Sequence, residues 1–198
     1  MTKTLAILAA VLLSFPLAAS AASELSVTLN GGGTKYDQAL SAGTDVGAEY
    51  GVRIGIIPTP IIGFEIGYLG SQNNVNATLN SNGTNQRLIT NGAYGDLRAN
   101  LLAGPVTPYI FGGFGVTNFK ISNEVIDNNA GLHGRTVATV PFGAGLEANI
   151  GNFKVGGRFQ YNYLLTDQLF RTNNNGNVGT GNNTDFYGVE LDLGASFH

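Results

Sequence analysis

The sequence predicts an all-β fold, an eight-stranded antiparallel transmembrane up-and-down barrel. Three observations predict it. Apolar and polar residues alternate with period two through nearly the whole chain after the first two dozen residues. Several alternating runs reach ten residues or more, longer than the ~5–6 of an average soluble strand and matched to the ~9–11 that a tilted strand needs to cross a bilayer. The connections between runs are alternately short and long.

The elements follow in order. The first strand is Glu24 to Asn30, with Leu25, Val27 and Leu29 on one face. The second puts Val46, Ala48, Tyr50, Val52, Ile54 and Ile56 opposite Glu49 and Arg53, and the third puts Ile62, Phe64, Ile66 and Tyr68 opposite Glu65. In the fourth, Ala93, Gly95, Leu97, Ala99 and Leu101 oppose Tyr94, Asp96, Arg98 and Asn100. The fifth, about Tyr109 to Ile121, holds Phe111-Gly-Gly-Phe114-Gly, and its glycines leave the two faces unassigned. The sixth sets Phe142, Ala144, Leu146, Ala148 and Ile150 against Glu147 and Asn149. The seventh sets Phe153, Val155, Phe159, Tyr161 and Tyr163 against Lys154, Arg158 and Gln160. The eighth sets Tyr187, Val189, Leu191, Leu193, Ala195 and Phe197 against Glu190 and Asp192. Pro141, inside the sixth run, has no N–H for a ladder, so a bulge or a place near the outer rim is expected there.

Short turns are expected at 57–60, 103–108 and 151–152, and long loops at about 34–43, 72–86, 123–134 and 167–184. Pro58, Pro60, Pro105 and Pro108 fall in the short turns, where no ladder bond is lost. Both ends of the barrel then lie on the short-turn side.

Composition agrees. Of 198 residues, only 12% are charged, Gly numbers 29, and there is no Cys or Trp. The missing thiols exclude disulfides, thiolate metal sites and cysteine nucleophiles. A net charge of −3 is of the wrong sign for a nucleic-acid binder. Ahead of the barrel, Lys3, the apolar run Leu5–Leu13 and the small residues Ala19-Ser20-Ala21 have the grammar of a Sec signal peptide cleaved after Ala21. Residues 1–21 are therefore expected to be removed and 22–198 to form the barrel, with no lipoprotein cysteine to anchor it.

In a bilayer every backbone donor and acceptor needs a partner, and only a closed sheet leaves no edge. Eight strands enclose a space that side chains can fill. The apolar face therefore meets lipid. The opposite face gathers Glu24, Glu49, Arg53, Glu65, Asp96, Arg98, Glu147, Lys154, Arg158, Glu190 and Asp192 into an expected lumen network of ion pairs, with acids in excess. Glycines on that face leave room for the larger side chains. Tyr68, Tyr109, Phe153, Tyr161, Tyr163, Tyr187 and Phe197 are candidates for aromatic belts at headgroup level.

The outer loops are rich in Asn, at 73, 74, 76, 80, 82 and 85 and again at 173–175, 177, 182 and 183. Such loops stay hydrated and can carry a surface function on a rigid scaffold. Catalysis finds little support. The histidines are His133, in a loop, and His198, and no Ser-His-acid set shares a strand face. His133 next to Glu124 or Asp127 could in principle form an acid–base pair, and Glu124 with Asp127 does not have the spacing of a calcium loop. No catalytic, metal-binding or cofactor-binding residue is assigned.

Pro108-Tyr-Ile-Phe-Gly-Gly-Phe-Gly115, Phe142-Gly-Ala-Gly-Leu-Glu147 and the closing Val189-Glu-Leu-Asp-Leu-Gly-Ala-Ser-Phe197 resemble the small eight-stranded barrels of Gram-negative bacteria. These are the OmpA/OmpX-type transmembrane domain and the broad outer membrane protein beta-barrel domain family. The resemblance implies outer-membrane location, contact with outer-membrane lipids and lipopolysaccharide, insertion by the barrel-assembly machinery and a monomeric barrel. That machinery reads a C-terminal aromatic residue; here Phe197 is followed by His198. Family roles span adhesion, serum resistance and envelope stability, and rarely lipid A modification. The expected role is structural or adhesin-like, through loops that meet a host or cell-surface ligand. A small gated pore and a lipid A-modifying enzyme are the alternatives.

Overall fold

The computed structural model describes residues 24–37, 40–41, 44–75, 87–122, 133–166, 170–171, 177–178 and 184–197. Eight strands close into an antiparallel barrel: β1 (Glu24–Tyr36), β2 (Gly47–Ile57), β3 (Ile62–Asn74), β4 (Arg87–Asn100), β5 (Val106–Ser122), β6 (Thr136–Ile150), β7 (Phe153–Leu164) and β8 (Phe186–Phe197). Each strand pairs with its sequence neighbours, and β1 meets β8 from Leu25↔Phe197 to Tyr36↔Phe186. That last pairing removes both edges, so the interior ladder groups find partners without water.

The alternation positions the side chains. Leu25, Val52, Ile54, Phe64, Leu97, Val155, Leu191 and Leu193 stand exposed on the outer wall, while the residues that alternate with them turn into the lumen. β5 keeps the same rule through its glycines. Thr107, Tyr109, Phe111, Thr117 and Phe119 point in, and Val106, Ile110, Phe114 and Val116 point out. Gly145 lies so close to the Tyr109 ring, and Gly67 to the Tyr94 ring, that a β-carbon at either would displace it. These glycines make room for inward aromatic side chains.

The turns are compact. Ile62 N–H donates to Thr59 Oγ1 at 3.0 Å, and Asn100 bridges to the same turn through Ile61 O and Pro60 O. Gly151 takes φ +60 in the tightest turn, a left-handed conformation that favours glycine.

Three expectations change. β1, β3, β4 and β6 run further toward the long loops than their alternating cores, reaching Tyr36, Asn74, Arg87 and Thr136. Asn73 and Asn74 are therefore strand residues. Asn73 turns inward and donates to Thr34 O and Asp45 O, both at 3.0 Å. Pro108 lies in β5 opposite Leu146 instead of in the turn. Pro141 produces no bulge. The β5–β6 register is the same on both sides of it, and the ladder omits the rungs between Gly112↔Phe142 and Gly115↔Thr139. The absent N–H is accommodated by an interrupted ladder, with Pro141 still aligned with Asn162 on β7. Above the barrel, His133–Gly134, Phe170–Arg171 and Asn177–Val178 form a small antiparallel sheet that ties two long connections together.

Candidate functional site

The strands enclose one candidate site, the lumen, and it has two layers. At the short-turn end and through the middle it is ionic. Arg158 is fully enclosed. Its Nη1 donates to Glu65 Oε2 at 2.7 Å, its Nη2 to Asp96 Oδ2 at 2.6 Å and its Nε to Gln160 Oε1 at 3.2 Å, while the guanidinium stacks 3.3 Å above the Phe111 ring. Arg53 Nη2 donates to Asp192 Oδ2 at 2.6 Å and lies 3.5 Å from Glu190 and 3.6 Å from Glu65. Arg98 holds Glu147 bidentately at 3.0 and 3.1 Å and reaches Glu65 at 3.3 Å. Lys154 pairs with Glu147 at 3.0 Å and with Glu24. Glu65 thus joins Arg53, Arg98 and Arg158. Each arginine fork is held by several carboxylate oxygens, which is how charges are kept in a place with little water.

Glu49 is the one member of the expected network with no ion pair among the described residues. It is buried, and both of its oxygens lack a hydrogen-bond partner. Its backbone position explains the setting: Gly32 of β1 faces Glu49 on one side and Glu190 on the other.

The outer layer is apolar. Tyr36, Leu69, Leu88, Phe119, Val137, Leu164 and Phe186 pack together with Leu40 and the Tyr94 ring. Tyr36, Phe119 and Phe186 form an aromatic triad with centroids 5.6–6.4 Å apart. A ring of Ser71, Asn73, Thr90 and Thr117 borders it, with Ser71 and Thr90 hydroxyls 2.6 Å apart. Sequence reasoning missed this cap. The signal was present: Leu69 has the inward parity of Glu65, and Phe186 that of Glu190.

Of the belt candidates, Tyr68, Phe153, Tyr163 and Phe197 stand exposed on the outer wall. Tyr161 and Tyr187 are half-buried there and stack against Phe142 and Phe159. Tyr68 OH donates to Asn91 Oδ1 at 2.5 Å and Tyr161 OH to Asp185 Oδ2 at 2.9 Å. Tyr50, not among the candidates, joins them with its ring 6.5 Å from that of Tyr68. Tyr109 is the exception and corrects the expectation. It is only 2% exposed, faces the lumen, and carries the Arg98 guanidinium 3.8 Å above its ring. The glycines of β5 conceal the parity that sends it inward.

Among the described residues no cluster of His, Cys, Asp or Glu is arranged to hold a metal ion. Glu124, Asp127, His198, the Sec-like segment and most of the loop asparagines lie outside the described residues, as does the His133 side chain.

Solved structures with a similar fold include surface and outer-membrane proteins. Neisserial surface protein A superimposes with a TM-score of 0.60 at 16% identity, covering 87% of this chain and 97% of its own. Ail, the attachment invasion locus protein of Yersinia pestis, gives 0.57 at 12%, covering 89% and 99%. The outer membrane protein OprG of Pseudomonas aeruginosa gives 0.53 at 14%, covering 89% and 97%. At such identities the likeness is one of fold. No curated protein sequence matches the chain. The sequence model for "Outer membrane protein beta-barrel domain" matches residues 5–197. The chain belongs to the outer membrane protein beta-barrel domain family.

Proposed function

We propose that this protein is exported through its N-terminal Sec-like segment, spans the outer membrane as a closed, non-conducting barrel, and acts at the cell surface in a structural or adhesive capacity. The carrying observation is the apolar layer of Tyr36, Leu69, Leu88, Phe119, Leu164 and Phe186 lying over the ionic lumen. An open aqueous path would need unfilled space at its mouth; here large apolar side chains pack across it, with Ser71, Asn73, Thr90 and Thr117 beside them. The arginines below are engaged by carboxylates, and Arg158 and Arg98 are also stacked on Phe111 and Tyr109. What is left to meet partners is the outer rim and its loops, presented on a rigid wall. The surface and attachment names carried by similarly folded proteins accord with this reading.

Planar-bilayer recording of the purified protein is expected to show no discrete conductance at neutral pH. Replacing residues 76–86 with a short turn is expected to leave heat-modifiable gel migration intact and to reduce binding to cells or matrix. Steady channels in the unmodified protein would overturn the closed-barrel reading. One observation favours a pore as the second reading: lumen acids outnumber lumen bases, and Glu49 has no cationic partner among the described residues. On that reading the channels would be cation-selective.

A further inference from the structure

We propose that the outer wall of β3–β5, just above its apolar band, binds the phosphorylated headgroup of an outer-leaflet glycolipid through Arg87 and Lys120. The distribution of positive charge on the strands leads there. Arg53, Arg98, Lys154 and Arg158 turn inward and are paired. The outward-facing cations of the described barrel strands are Lys35, Arg87 and Lys120, all at the long-loop end. Arg87 and Lys120 are neighbours. Arg87 pairs with Ser122 and Ile89 with Lys120, so the two cations are diagonal on one face of adjacent strands, both exposed. Like charges in that relation repel. Neither makes an ion pair among the described residues.

Among the described residues, their strand neighbours on this wall are neutral and rich in hydrogen-bonding groups. Gln72 and Asn74 of β3, Asn91 of β4 and Asn118 of β5 share this wall. Among the described residues, Asp45, whose N–H donates to Asn74 O, is the acid at its edge, and no ion pair joins it to either cation. A phosphate between Arg87 and Lys120 would relieve the repulsion, and sugar hydroxyls would meet the amides. The opposite wall differs. There Lys35 lies opposite Tyr187, and Asp37 and Asp185 follow within two residues of that rung.

Position selects a lipid over a soluble anion. Tyr68, Ala93 and Val116 occupy consecutive places across β3, β4 and β5. Lys120 is four residues beyond Val116, ~13 Å along the strand and roughly 10 Å along the membrane normal for a strand tilted ~40°. That is near the outer boundary of the headgroup layer, and long basic side chains bend toward it. Directly below, Ile66, Phe114 and Val116 are exposed and apolar, a surface for acyl chains. This inference needs the barrel to sit in the membrane and is independent of whether the lumen conducts.

The test uses the full-length protein refolded in detergent and purified lipopolysaccharide as the probe, intact or with its lipid A phosphates removed. R87Q/K120Q is expected to lose at least tenfold in affinity for the intact lipid, and K35Q to change less than twofold. The unmodified protein is expected to lose a comparable factor toward the dephosphorylated lipid. Inorganic phosphate at ten millimolar is expected not to displace the lipid. Unchanged binding by R87Q/K120Q, equal binding of both lipids, or displacement by free phosphate would each overturn the proposal. Heat-modifiable migration reports folding. Should the double variant misfold, R87Q and K120Q alone are each expected to lose about threefold, and no loss in either counts against the site.

Discussion

Inside one barrel wall, two neighbouring regions are held by different physics. The lower lumen is built from opposite charges whose partners come from distant strands: Arg158 reaches Glu65 ninety-three residues away and Asp96 sixty-two away. The upper lumen is a small hydrophobic core of side chains such as Leu88, Phe119 and Phe186. The ionic layer is sensitive to the loss of a member, because every buried charge in it but Glu49 is held by opposite charges on other strands. The apolar layer loses stability gradually, in proportion to the volume removed. Burial alone therefore does not set the cost of a substitution; what remains unpaired afterwards does.

The largest effect is expected from Arg158→Ala. It strands the buried Asp96, whose cationic partner among the described residues is Arg158, and takes from Glu65 one of its three arginines; breaking such a buried pair costs about 3–5 kcal/mol. Urea unfolding monitored by heat-modifiable migration measures it. A cost below that of a cap substitution would break the contrast. Next comes Leu191→Arg on the outer wall, where a charge near the bilayer midplane costs about 2–4 kcal/mol. The same unfolding assay in lipid vesicles should show the penalty, and its absence would contradict the orientation of the wall. Leu88→Ala in the cap should cost about 2–3 kcal/mol through lost burial and the cavity left behind. It should also permit conductance events in planar bilayers that the unmodified protein lacks, if the cap is what closes the lumen. Smallest is Tyr68→Phe, which removes the hydrogen bond to Asn91 at the interface and is expected to cost about 0.5–1 kcal/mol in the same vesicle unfolding assay.

Much of the wall is readable in the chain because strand parity is local. Once Val52 faces lipid, Arg53 must face the lumen, and no distant residue alters that. The same rule places Glu65, Asp96, Arg98 and Arg158 on the inner face. It fails where local information vanishes. In β5 the run Phe111-Gly-Gly-Phe114-Gly has no polar residue to mark a face, so Tyr109 passes for a lipid-facing residue although its side chain lies beneath Arg98. The outer ends of the strands escape the pattern too, because Asn, Gly and Thr look like loop. Pairing with neighbouring strands keeps them extended, as Asn73 opposite Leu88 shows, and the Asn73 side-chain amide adds bonds to Thr34 O and Asp45 O.

Period-two alternation, strand length and the rhythm of short and long connections were enough to specify eight strands, their direction and the side most residues take, since these depend on near neighbours and on the thickness of the bilayer. Which charge meets which, why Glu49 is left beside Glu190 without a cation, and that apolar side chains close over the ions were decided by the register of closure. That register brings β1 against β8 and sets the height of every rung, and it arises only when the ends of the sheet meet.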